Sequence, residues 1–438
     1  MKAAGPPRSR GGSVLALPLA LLHLLAFALT SVAAGVPLPA QEAGTTNESS
    51  VFRRIATMTK QLTEITGLEP KREVEYAVIP RLQLKEFLEQ RIREEIKPEE
   101  IRVEELLLKK FGLVPVDFRL KDTMVALYTE QAAAFYDFRK KKLFLLDSDE
   151  GMMQEAALFH ELAHALADQH FRLERFLDNA GKNDDGALAR MAVMEGQATW
   201  LMSEFLMRRM GQSLRSSPEM VKAMSRMIGS SGGQFPVFDN VPLYIRQSLI
   251  FPYTSGMEFQ HALIERFGNR AFSEIFRKPP ATTREVLHPG TYTGAPPPPA
   301  PPLPALANER HYERLAAGTI GEFDYAVLIQ HYLDEDMVRQ IAPSWRGGAY
   351  RFWEHKKDKD TILIHVSEWD TPEAADRFSQ AYRKVIEGRN RNAAFHEGTP
   401  DAYQGRADDG YFVVRRAGKR VYCAEGLRAS GQVKWPQR

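Results

Sequence analysis

The chain contains only one cysteine, Cys423, among 438 residues. No disulfide can therefore form within the chain, even in an oxidising compartment. A structural zinc site built on paired thiolates is excluded for the same reason. If the protein binds a transition metal, the available ligands are carboxylates and the 11 histidines.

The sequence also lacks an excess of charge of either sign. Its 58 basic and 56 acidic residues leave a net charge of +2, without an acidic tail. This balance gives no field suited to nucleic acid, so we expect no nucleic-acid partner. The 44% of apolar residues is typical of a globular protein, and the length predicts two or three domains.

The N-terminus has the pattern of a secretory signal peptide over residues 1–34. Basic residues precede an apolar run from Val14 to Val32, and small residues follow it. Cleavage is expected after Ala34, with Ala40 as a second possible site. The protein is therefore expected in the periplasm or outside the cell.

An uncleaved membrane anchor is the alternative interpretation of this segment, because the run approaches spanning length. Pro18 and His23 weaken that interpretation. Contact with a membrane is expected only if the segment is left uncleaved.

The remaining chain divides by composition into a flexible lead-in, a large first domain, a proline-rich linker and a smaller C-terminal domain. The predicted boundaries are 35–50, 51–292 with an N-terminal helical cap, 293–308 and 309–438. The last unit alternates helical patterns with predicted strands, which indicates a small α+β domain with a mainly antiparallel sheet, of unknown role.

The stretch with the clearest chemistry is His160-Glu161-Leu162-Ala163-His164. It lies in a predicted helix from Glu155 to His170, where His160 and His164 are one turn apart on the same face. Both imidazoles can thus bind one metal ion, and Glu161 lies beside them as a general base. The alternative is that both histidines belong to the core of an Ala-rich helix.

Strands are predicted before this helix at Val125–Tyr128, Ala134–Tyr136 and Lys142–Leu146. After it, a helix is predicted from Ala187 to Met210, and another from Met257 to Phe267.

Glu195 stands within the apolar stripe of the Ala187–Met210 helix. A buried carboxylate without a partner is costly, so this position requires a cation or strong hydrogen-bond donors. His160, His164 and Glu195 form a set of three ligands. Such a set leaves the fourth coordination position of the metal for water, as in catalytic zinc sites. In this hypothesis Zn2+ lowers the pKa of that water, Glu161 takes its proton, and an amide is hydrolysed.

These motifs resemble those of gluzincins, the group of zinc metallopeptidases that includes thermolysin. His160–Phe171, Glu195–Thr199, Phe251–Gly256 and Pro279–Pro289 are similar to exported bacterial proteins of the peptidase-MA-like type. The resemblance covers roughly residues 125–292. It implies a zincin-like, mainly helical α+β metallopeptidase domain with a small sheet, acting on a peptide or protein substrate.

The resemblance also implies roles for residues around the metal. Tyr253 and His288 are candidate oxyanion stabilisers, and Leu143–Leu146 is the candidate strand for pairing with substrate, unless it is only core. Thermolysin-like enzymes have an aspartate where this chain has Thr199, which orients a ligand imidazole less strongly.

Asp168 lies one turn beyond His164 and is a second candidate for orienting a ligand, or a solvated residue of the helix surface. The leading hypothesis is an exported zinc metallopeptidase, endopeptidase or aminopeptidase. The alternative is a catalytically inactive gluzincin-like protein that serves as a binding or structural module.

Overall fold

The computed structural model describes residues 48–80, 83–131, 134–147, 152–181, 183–230 and 235–436. The predicted signal peptide and residues 35–47 of the predicted lead-in lie outside these ranges. Within them, no helix is both long enough and apolar enough to cross a membrane.

The protein is α+β, with most helices in its N-terminal region. Those helices are α1 (Glu48–Thr66), α2 (Leu84–Glu95), α3 (Pro98–Phe111), α4 (Leu120–Gln131), α5 (Met152–Phe171), α6 (Leu173–Asp178), α7 (Asp184–Arg209), α8 (Pro218–Ile228), α9 (Pro236–Asn240), α10 (Leu243–Phe267), α11 (Ala271–Arg277) and α12 (Thr283–Leu287).

A small sheet precedes the histidine helix α5. It consists of β1 (Glu75–Pro80), β2 (Ala134–Asp137) and β3 (Lys142–Asp147), in the spatial order β1-β3-β2. Strand β1 pairs parallel to β3, whereas β2 pairs antiparallel to it through a tight hairpin. The histidine helix α5 packs against β2 and β3, so the sheet borders the helix that carries His160 and His164.

The strand predicted at Val125–Tyr128 is wrong, because these residues lie in helix α4. The β-branched and aromatic residues of this stretch favour a strand. However, Leu120, Met124 and Leu127 are fully buried at helical spacing, and this longer apolar pattern prevails.

The prediction that a helix starts at Met257 is also wrong, since α10 already begins at Leu243 and runs through Pro252. Proline in a helix interior removes one backbone hydrogen bond and costs about 3 kcal/mol in an isolated helix. Here both halves of α10 are buried, with Ile245, Leu249 and Leu263 at most 1% exposed. Tertiary packing therefore outweighs the local preference.

The C-terminal domain has a seven-stranded antiparallel sheet. Its elements are β5 (Tyr312–Thr319), α13 (Glu322–Tyr332), α14 (Glu335–Ile341), β6 (Trp345–His355), β7 (Thr361–Trp369), α15 (Pro372–Arg389), β8 (Ala394–Thr399), β9 (Ala402–Ala407), β10 (Gly410–Ala417) and β11 (Arg420–Leu427). The strands lie in the spatial order β5-β6-β7-β11-β10-β9-β8. Helix α15 packs against the central strands of this sheet.

The predicted linker ends in secondary structure. Residues 295–304 form neither helix nor strand, but β4 (Ala305–Leu306) pairs antiparallel with β12 (Val433–Lys434) near the C-terminus. One cluster of buried apolar side chains includes residues from Ile55 to Cys423, and so continues from the N-terminal region into the C-terminal domain.

Five carboxyl groups are buried where these two regions meet. They are Glu104, Asp184, Asp185, Glu322 and Asp324, each at most 5% exposed. Tyr350 donates a hydrogen bond to Asp184 and Tyr244 donates one to Asp324, at 2.9 and 2.8 Å. The backbone N–H of Thr283 lies 3.0 Å from Asp185 Oδ1.

Burial raises the pKa values of Asp184, Asp185, Glu322 and Asp324 in the folded protein. It raises the pKa of Asp185 to about 7 and that of Asp324 to about 6, and also raises the pKa of Asp184. For Glu322, burial outweighs the opposing charges of Arg284 and Arg346 and raises the pKa to about 8. The junction is thus most stable with several of its acids protonated.

We expect the protein to lose stability as the pH rises from about 5 to about 8. The unfolded carboxyls have pKa values near 4, so the folded state binds more protons across this window, and each pKa unit corresponds to about 1.4 kcal/mol. Thermal unfolding at pH 5.5 and 8.5 measures this loss of stability. The loss should be smaller in Asp185→Asn than in the wild type. Asp336→Asn, at a side chain that is 74% exposed, is the control. Equal pH slopes for wild type and Asp185→Asn would contradict this expectation.

Candidate metal centre

Three side chains converge between helices α5 and α7. His160 Nε2 lies 3.0 Å from His164 Nε2, and Glu195 Oε2 lies 3.2 Å from each of these nitrogen atoms. The described part of the chain holds no other group of three His, Cys, Asp or Glu residues with ligand atoms as close together. The structure thus brings together the three predicted metal ligands.

The spacing of these three atoms fits a tetrahedral zinc ion. Ligand atoms at 2.0–2.1 Å from such an ion lie about 3.3 Å from one another. The observed separations of 3.0 and 3.2 Å are close to that value. Two imidazole nitrogens and one carboxylate oxygen are also a donor set that zinc prefers.

Close packing of two glycines sets the position of Glu195 relative to helix α10. A Cβ atom on Gly196 would lie 2.2 Å from the carbonyl carbon of Gly256, and one on Gly256 would lie 2.3 Å from the Ala192 oxygen. Only glycines allow α7 and α10 to approach this closely. The contact holds Tyr253, one turn before Gly256, next to the cluster.

The cluster is buried, and its charges compensate one another. His160, His164 and Glu195 are 4%, 5% and 1% exposed. Burial lowers the pKa of His160, which favours the neutral imidazole that binds metals, whereas the neighbouring Glu195 carboxylate outweighs burial and raises the pKa of His164. Burial alone would raise the pKa of Glu195, but the two imidazoles outweigh it and hold the value at about 2. Glu195 is therefore a carboxylate at neutral pH.

Glu161, the predicted general base, lies beside the cluster and interacts electrostatically with His164 and Glu195. It is 1% exposed, and its Oε2 accepts a hydrogen bond of 2.7 Å from the backbone N–H of Tyr136. Burial raises the pKa of Glu161 to about 8, against the opposing effects of His164 and the Tyr136 N–H. A carboxyl with a pKa near neutrality is suited to both accepting and donating a proton.

Tyr253 is the predicted oxyanion candidate that lies close to the cluster. Its ring is stacked on that of His160, with centroids 6.1 Å apart, and only 1% of the residue is exposed. This position is compatible with the predicted role.

His288, the other predicted oxyanion candidate, lies at the junction with the C-terminal domain. Its Nε2 is 2.7 Å from Glu322 Oε1 of helix α13. No contact among the described residues connects His288 to the three ligands. Its position therefore does not support the predicted role, which rested on the resemblance of its segment and on its place after the ligand helices.

The predicted contact of Asp168 with a ligand imidazole is not among its contacts in the described part of the chain. It accepts hydrogen bonds from Tyr136 Oη at 3.0 Å, from Lys141 Nζ and from the Leu173 backbone. The predicted alternative, a solvated surface residue, is also wrong, because Asp168 is 3% exposed. The Thr199 hydroxyl is buried without a hydrogen-bond partner, so it orients neither histidine.

Most of the strand predicted to pair with substrate, Leu143–Leu146, is already paired on both sides, at Leu143–Leu145. It is part of β3, which pairs with β1 on one side and β2 on the other. The strand with an edge toward the candidate site is β2, because the Tyr136 N–H points to Glu161 instead of to β3. Sequence reasoning missed Tyr136, since a backbone contact leaves no signal in residue type.

Comparison with known proteins identifies one segment of the chain. A family model described as a domain of unknown function, DUF8575, matches residues 309–433. No curated protein and no solved structure matches the chain. The matched segment corresponds to the C-terminal domain and does not include the histidine helix.

Proposed function

We propose that the protein is an exported zinc-dependent peptidase of the gluzincin type, with a zincin-like N-terminal domain. The observation that carries this proposal is the approach of His160 Nε2, His164 Nε2 and Glu195 Oε2 to within 3.2 Å of one another. Three protein ligands, with Glu161 beside them, form the arrangement of a catalytic zinc site.

In this proposal each residue near the site has a separate task. Zinc bound to His160, His164 and Glu195 would supply Lewis-acid activation of a water molecule. Glu161 accepts the proton of that water and returns it to the leaving amine. Tyr253 is the proposed donor to the oxyanion, since its ring lies against His160.

We propose that the substrate is a peptide or protein segment. The outer edge of β2 is not open for pairing with it, because the Tyr136 N–H on that edge already donates to Glu161 and all four residues of β2 are buried. The substrate therefore reaches the general base without adding a strand to β2.

Metal removal tests this proposal. The purified full chain is expected to contain about one zinc per molecule and to cleave members of a peptide library. Chelation should abolish cleavage, and added zinc should restore it, with metal content and cleavage measured on the same samples. Cleavage that persists after complete metal removal would contradict the proposal.

The second candidate function is an exported binding or structural module that has lost catalysis. It is favoured by Thr199, whose buried hydroxyl has no hydrogen-bond partner where related peptidases have an orienting carboxylate. Stoichiometric zinc without cleavage of any library peptide would support this alternative. Chelator-sensitive cleavage would reject it.

A further inference from the structure

One tyrosine connects two acidic residues of the histidine helix. The Tyr136 backbone N–H donates to Glu161 Oε2 at 2.7 Å, and the Tyr136 hydroxyl donates to Asp168 Oδ2 at 3.0 Å. Glu161 and Asp168 are seven residues apart, so they lie on the same face of α5 with about 10 Å of helix between them. Tyr136 therefore lies along α5 and contacts it through both its backbone N–H and its hydroxyl.

Asp168 is bound by the same hairpin at a second point. Lys141 Nζ lies 2.8 and 2.9 Å from the two carboxylate oxygens of Asp168. Lys141 closes the β2–β3 turn with a φ of 56°, in the left-handed region that residues other than glycine rarely adopt. Such a conformation persists where the surroundings over-determine it, and it is found preferentially at functional sites.

The Asp168 carboxylate has no capacity left for a ligand imidazole. Besides Tyr136 and Lys141, it accepts a hydrogen bond of 2.9 Å from the backbone N–H of Leu173, where α6 begins. A buried carboxylate with four such contacts is rigid, and charge-assisted hydrogen bonds are the stronger ones. Asp168 is thus a fixed anchor for the hairpin.

We propose that Asp168 and the Tyr136 hydroxyl are positioning residues that hold the edge of β2 against α5 and thereby fix the carboxylate of Glu161. This inference rests on the proposed function for its kinetic consequence, because Glu161 is the general base only in that proposal. The contact geometry itself does not depend on the activity. Neither Asp168 nor the Tyr136 hydroxyl touches the reacting atoms.

Tyr136→Phe tests the kinetic consequence. Phenylalanine keeps the backbone N–H and the ring but loses the hydroxyl that binds Asp168. We expect kcat to fall between about 10- and 100-fold, with KM and zinc content nearly unchanged, as for a small displacement of a catalytic group. Glu174→Gln removes an exposed acid that binds Arg139 of the same hairpin, and it should leave kcat unchanged. A kcat of Tyr136→Phe within twofold of wild type would overturn the proposal.

The effect of the Asp168 contact on the Glu161 contact of Tyr136 is also measurable without activity. In protein labelled with 15N-tyrosine, the Tyr136 amide signal is identified by its loss in Tyr136→Phe. We expect this signal to move in Glu161→Gln and also in Asp168→Asn, but not in Glu174→Gln. An unmoved signal in Asp168→Asn would overturn the positioning role. If the wild type cleaves no peptide, the proposed function fails, and the amide signal still decides whether Asp168 acts on the Glu161 contact.

Discussion

Glu161→Gln is expected to abolish peptide cleavage while the protein retains about one zinc per chain. The glutamine amide has nearly the same shape, and its oxygen can still accept the hydrogen bond from the Tyr136 N–H. However, it cannot take a proton from water or return one to the leaving amine. Loss of a general base costs a factor of about 10² to 10⁴, and more where the same group also acts as the acid. Initial rates and metal content on the same preparation measure both properties.

Glu155→Gln is the matched control for this variant. Glu155 lies on the same helix, with 28% of its side chain exposed, and it pairs with Arg209 on the protein surface. It should retain wild-type rates. If Glu161→Gln keeps more than a tenth of the wild-type activity, Glu161 is not the base.

Glu195→Gln is expected to lose zinc. The replacement removes the only carboxylate among the three proposed ligands and the negative charge that compensates the bound cation. Replacing a residue that hydrogen-bonds to a metal ligand costs about 10- to 100-fold in metal affinity. Removing the charge of a ligand itself should therefore cost more. Zinc affinity from competition with a coloured chelator is the measurement, and peptide cleavage should fall in parallel.

Glu204→Gln separates ligand loss from general damage to the same helix. Glu204 is fully buried in α7 and accepts hydrogen bonds from the Leu214 N–H and from Arg208. Its replacement should lower the melting temperature but leave zinc affinity unchanged. Wild-type zinc affinity in Glu195→Gln would contradict the assignment of Glu195.

The convergence of His160, His164 and Glu195 was predictable from local rules. Histidines four residues apart share a helix face, and a carboxylate within an apolar stripe requires a partner. Both rules depend on helical periodicity, which the apolar residues of α5 and α7 make plain. The strands of the C-terminal domain were predicted for a similar reason, because alternating and β-branched residues mark stretches such as Thr361–Trp369 and Gly410–Ala417.

The surroundings of the cluster were not predictable in this way. The contact of Tyr136 with Glu161 uses a backbone N–H, and every residue except proline has one. The pairing of β1 with β3 joins segments about 70 residues apart, and it turns the strand predicted to bind substrate into the centre of a sheet. The position of His288 depends on Glu322 in another domain. These features follow from long-range packing, which local patterns do not encode.

A crystal structure of the zinc-loaded protein, with anomalous data collected at the zinc absorption edge, tests the proposed metal centre most directly. We expect one strong anomalous peak at about 2.0–2.2 Å from His160 Nε2, His164 Nε2 and a Glu195 carboxylate oxygen. A zinc peak elsewhere in the chain, or no peak with Glu195 still hydrogen-bonded to both imidazoles, would contradict it.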